Sequence, residues 1–155
     1  MVAATDGVMR CVRLAAIAAL APSVFLAAGC ATSKVRSPTL SEVSGYTGLV
    51  LPEGCRLRRS MLYEDPGGVR LWADITVPQG RVQELARSPV AGSKLKLSPA
   101  YQFSPSAGTN APSWWPRGAQ GDGGQATVGT GDYLEALIRK EADGSFVIYV
   151  YYATD

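Results

Sequence analysis

No histidine occurs among the 155 residues of the chain. That removes Ser-His-Asp and Cys-His nucleophilic sites, the commonest general base, and imidazole ligands for zinc. Carboxylates remain. Glu64, Asp65, Asp74, Asp132 and Glu135 are the acids from which a pair for glycan cleavage could be drawn. No spacing singles out a pair, and solvent-facing charge is the default reading of each. Gly121-Asp122-Gly123-Gly124 has too few carboxylates for a calcium loop and neither follows a strong strand nor opens a helix as a phosphate loop would, so it reads as a flexible linker. Arg56, Arg58 and Arg59 form the one tight basic group and read as solvated charge on a strand. With 15 Lys and Arg against 13 Asp and Glu, a formal net charge of +2, the balance argues against a nucleic-acid partner. No catalytic residue, metal site or cofactor is assigned.

Trp114-Trp115-Pro116-Arg117 is the constellation best suited to binding. Two adjacent aromatics in a loop can stack on a sugar ring, a lipid interface or a partner's side chain, and Arg117 can pair with an anion beside them. The competing reading makes the tryptophans a plug folded over an open sheet face, with Trp72 as the surface beneath. The plug reading is favoured, because a small sheet needs cover and each indole buries a large apolar area.

The three cysteines divide by position. Arg10 and Arg13 precede an apolar run over residues 14–28, which contains Pro22 and falls short of the roughly 20 residues a spanning helix needs. A basic start, an apolar core and small residues before a break form an export signal, and Met9 is the tidier start because Asp6 is out of place before it. The run closes on Leu26-Ala27-Ala28-Gly29-Cys30. These five residues resemble the lipobox of bacterial lipoproteins. The resemblance implies cleavage after Gly29, a diacylglyceryl group on Cys30 and acylation, such as by palmitate, of the new amino terminus. Ala31 in place of Asp then implies the periplasmic face of an outer membrane in a two-membrane cell, and otherwise the outer face of the cytoplasmic membrane. Ordinary cleavage to a free periplasmic protein is the plainer alternative. Cys11 leaves with the signal and Cys55 stays unpaired, a small buried hydrophobe rather than half of an intrachain disulfide.

The elements that must position these residues follow from periodicity. Residues 1–29 are signal. Residues 30–50, rich in Ser, Thr and Gly, read as the lipidated terminus and a flexible tether. The domain spans 51–155. An imperfect alternation over 55–64, a Pro-Gly turn and a clean alternation over 69–77 predict a hairpin. Val82, Leu85 and Ala86 predict a short helix over 79–87, and the brief alternation over 94–97 an edge strand or only an extended segment. Residues 98–131, with many glycines and Pro99, Pro105, Pro112 and Pro116, show no period and read as one long loop. Residues 133–141 suit helix or strand; Asp143-Gly144 before the β-branched and aromatic run 145–153 favours a hairpin, its second strand central and covered on both faces. The expectation is a two-layer α+β domain with a mainly antiparallel sheet of about four strands, one short helix and a long Pro/Gly/Trp loop shielding what the helix leaves bare.

The functional expectation is a membrane-anchored envelope lipoprotein acting as a non-catalytic binding or interaction module, with Trp114, Trp115, Arg117 and Trp72 as candidate binding residues. Its partners would be membrane lipid, through acylated Cys30, and an envelope protein or glycan. The alternatives are a carboxylate-dependent enzyme on cell-wall glycan and a structural subunit of an envelope complex.

Overall fold

A computed structural model describes residues 32–85, 89–90, 93–129 and 131–154. The segment expected as an export signal and Cys30 lie outside the described residues.

The domain is built on one antiparallel sheet of seven strands. In chain order these are β1 (Lys34–Arg36), β2 (Arg56–Asp65), β3 (Gly68–Val77), β6 (Ser98–Gln102), β7 (Gln120–Val128), β8 (Asp132–Lys140) and β9 (Phe146–Ala153), while β4 (Pro89–Val90) and β5 (Ser93–Lys94) form a separate two-stranded ribbon. The spatial order is β1-β2-β3-β9-β8-β7-β6. The chain runs inward from one edge over β1 to β3. It then crosses to the other edge and returns as a meander, so that β9 closes the sheet against β3, Asp74 facing Tyr149. The expectation of about four strands and one helix is therefore corrected to seven strands and three small helices, α1 (Leu40–Thr47), α2 (Val82–Leu85) and α3 (Pro105–Gly108).

Three local readings explain the difference. The stretch expected as a tether carries β1 and α1 from Lys34 onward. Thr39 caps α1 by accepting from the Glu42 amide while the Glu42 carboxylate takes the Thr39 amide, and Gly48 closes the helix in the left-handed region at φ 65°. Val43 and Thr47, four residues apart, then point inward. The stretch expected as one structureless loop contains β6, α3 and β7. Glycine makes β7 possible: a Cβ on Gly123 would fall 2.7 Å from the Tyr101 ring, and one on Gly124 would fall 2.0 Å from the Lys96 carbonyl oxygen. Of the two readings of 94–97, the edge strand is not formed: strand pairing stops at Lys94, in the ribbon, and Leu95 is buried in the core. The helix expected over 79–87 is a 3-10 turn at Gln79–Arg81 followed by α2. Residues 133–141 fall almost wholly within β8 and form the favoured hairpin with β9.

Both faces of the sheet are covered. On one, Leu71, Ala73 and Ile75 of β3 and Ile148 and Val150 of β9 pack with Val43, Leu49, Leu85 and Leu95. On the other, Trp72, Tyr149 and Tyr151 pack under the segment between β6 and β7, through Phe103, Ala107 and Trp115. The second cover is pinned by polar bonds at both ends of α3. The Trp72 indole N–H donates to the Ala107 carbonyl at 2.8 Å, and the Ser104 amide donates to the buried Glu135 carboxylate at 3.2 Å.

Candidate functional site

The structure separates the two adjacent tryptophans. Trp115 is 4% exposed, its ring 4.6 Å from Phe103 and edge-on to Tyr149, so it seals the sheet face. Trp72 is fully buried beneath the same cover. Trp114 stays half-buried, and Arg117 is exposed and lines none of the hollows described below.

Trp114 forms one wall of a groove of about 430 Å³ lined also by Ser37, Pro38, Leu57, Arg58, Arg59 and Ser60. Its charge arises from a fault in the sheet. Leu57 pairs with Ile75 and Arg59 with Asp74, so Arg58 is an extra residue in β2. A bulge of this kind leaves one residue unpaired and changes which side chains face which way. Both arginines thus reach the same carboxylate. Arg59 places Nε 2.9 Å from Asp74 Oδ2 and also bonds it through a terminal nitrogen, while Arg58 approaches Asp74 Oδ1 with Nε at 3.6 Å. Arg59 lies over the Trp114 ring at 5.1 Å, a cation–π contact.

The balance of this cluster is uneven. Asp74 is fully buried, yet its Oδ1 has no hydrogen-bond partner. The 3.6 Å approach is an ion pair too long for a hydrogen bond. Both arginine side chains are 40% exposed. Two arginines meet at one buried carboxylate, and the terminal nitrogens of Arg58 make no hydrogen bond among the described residues. Such a fork can take a planar carboxylate through two parallel hydrogen bonds. Other charge lies near: Arg58 helps hold the Asp143 carboxyl low, behind the larger effect of its bonds to Ser145.

A second polar cluster sits on the same sheet face. Glu135 is fully buried and takes hydrogen bonds from the Tyr133 hydroxyl and the Ser104 amide. Burial, reinforced by the Glu135 charge, pushes the Tyr133 phenol up to about 12, and the same causes raise Tyr101. Tyr133 lines a hollow of about 380 Å³ with Arg70 and Ser106, but its proton is committed to Glu135 and it is no nucleophile at neutral pH. Tyr152 donates to Asp132 at 2.6 Å, so that carboxylate serves the fold. The half-buried Cys55 thiol is raised by desolvation and by the Glu84 charge, which keeps it protonated.

Asp74 and Glu135, the two buried carboxylates among the described residues, do not face one another. Asp74 faces Tyr149 and Glu135 faces Tyr151 on opposite sides of β9. Strand spacing and rise place their Cα atoms about 12 Å apart, and both are sealed from solvent. Asp65 lies 3.8 Å from Arg70. Among the described residues no group of three or more Cys, Asp or Glu could hold a metal ion.

The groove's arginines are the residues that the sequence reading set aside as solvated charge. The available signal was the break in alternation over 55–64 beside consecutive arginines. Compared with family models, curated proteins and solved structures, the chain matches none significantly.

Proposed function

We propose that the chain is exported, lipidated on Cys30 and held at the cell envelope, where its domain is a non-catalytic binding module that takes anionic ligands in the Arg58–Arg59–Trp114 groove. Leu26-Ala27-Ala28-Gly29-Cys30 at the end of an apolar run carries the anchoring half of this reading. The Arg58 guanidinium, which makes one long ion pair with buried Asp74 and no hydrogen bond among the described residues, supports the binding half. Two or three acyl chains on one residue hold far more firmly than one, each buried methylene contributing about 0.8 kcal/mol. The outer membrane is the expected station in a two-membrane cell. Mass spectrometry of the mature amino terminus tests the anchoring: the first residue is an S-diacylglyceryl, N-acylated Cys30. An unmodified terminus at any other residue would overturn it.

A further inference from the structure

The geometry points to an extended acidic peptide as the ligand of the Arg58–Arg59 groove, lying along the open edge of β2 with a carboxylate on the Arg58 fork. The inference rests on the groove being the binding site and names what fills it. β1 covers only Leu62, Tyr63 and Glu64 of β2, so among the described residues the outer edge of Arg56–Met61 has no strand partner. At Ser60 the hydroxyl donates to the Pro38 carbonyl at 2.7 Å, marking where the chain leaves the line of β1. An added peptide continues that line, its backbone supplying affinity and its alternate side chains specificity.

Charge selects the peptide. Arg59 is held by Asp74 and by the Trp114 ring, whereas Arg58 has one long contact and free terminal donors. A carboxylate brought to Arg58 would take the terminal donors that its long contact with Asp74 leaves unused. Half-buried Leu57 gives the neighbouring apolar side chain of an alternating peptide a surface to cover. A sugar ring fits less well, because a face of the one aromatic wall is already taken by the Arg59 guanidinium.

Calorimetric titration of the full chain in non-ionic detergent tests this. The probes are an acetylated, amidated hexapeptide alternating valine and aspartate, its asparagine counterpart, and a galacturonate oligomer. Saturable binding of the aspartate peptide is expected, about ten-fold or more tighter than the asparagine peptide and tighter than galacturonate. Arg58→Gln should abolish that preference, Arg58→Lys should restore it only in part because an ammonium lacks the fork, and Arg117→Gln should leave it intact. The melting temperature of each variant separates lost binding from lost folding. Tighter, Arg58-dependent binding of galacturonate would overturn the peptide assignment and leave the groove standing as an anion site. Equal binding of the two peptides, a preference surviving in Arg58→Gln, or no saturable binding of any probe would overturn the assignment and the groove together.

Discussion

Asp74 shows how one side chain can hold a site and limit its stability. Its carboxylate is buried, but the two arginines that answer it reach water and can rehydrate when it is lost. Asp74→Asn is therefore expected to cost about 1–2 kcal/mol rather than the larger penalty of stranding a fully buried charge. A lowered urea midpoint at unchanged slope measures it. Asp74→Asn combined with Arg59→Gln should lose less than the two changes summed, since each removes the other's partner. The phenols make a second prediction. Tyr133 is raised to about 12, above its unfolded value near 10. Between those values the unfolded chain has released a proton that the native state still holds, so stability must fall as pH rises. The urea midpoint should decline from about pH 10 upward, and Tyr133→Phe should flatten that decline. A midpoint indifferent to alkali would mean that the phenol is no better sealed in the folded chain. Among the tryptophans, Trp114 alone should answer to iodide quenching, and Trp114→Phe should remove the response.

At the scale of elements, the glycines of β7 are its central requirement. A methyl on Gly124 has no space before the Lys96 carbonyl, and backbone cannot swing aside as a long side chain can. Gly124→Ala should cost about 2 kcal/mol or more, whereas Gly80→Ala, with nothing within 4 Å, should be nearly neutral. Comparable losses at both sites in urea unfolding would show that Lys96 can move. These same glycines hid the strand. Where β7 needs no side chain, the alternation that announces a strand vanishes, although β3, with Leu71, Ala73, Ile75 and Val77 on one face, was plain. The bulge blurred β2 in another way. Cys55 and Leu57 share a face with Leu62, so the inward positions change from odd to even across Arg58, and a single period cannot fit. In α1, Ser, Thr and Gly suggested a tether, yet Thr39 three residues before Glu42 and Gly48 beyond Thr47 marked both helix ends. The tryptophan cover was legible because a sheet with two apolar faces needs two covers. The groove was not, because it depends on a register fault and on Asp74 being closed over by a distant segment.

At the scale of the whole molecule, the early start of the sheet fixes how the proposed anchor would carry the domain. β1 begins at Lys34, opposite Glu64, and the Ser33 hydroxyl lies 3.1 Å from that of Tyr63. Four residues of fully extended chain from Cys30 to Lys34 span at most about 14 Å. A lipid on Cys30 would therefore hold the domain close to the head groups, with no long tether to let it roam. Arg59 lies five residues back along β2 from Glu64, about 17 Å at strand rise, which sets the groove away from the start of β1 and leaves its edge open to an incoming chain. A protease site inserted between Ala31 and Thr32 should be cut slowly in the membrane-bound protein, since the protease must fit between lipid and domain. Adding a 15-residue Gly/Ser spacer, about 20 Å in mean reach, should speed cleavage several-fold, while Cys30→Ser should release the protein from the membrane fraction altogether. Equal cleavage with and without the spacer, in a protein whose membrane attachment depends on Cys30, would show that the anchor leaves the domain free of the surface and would break the link between the early β1 and the direction in which the groove is presented.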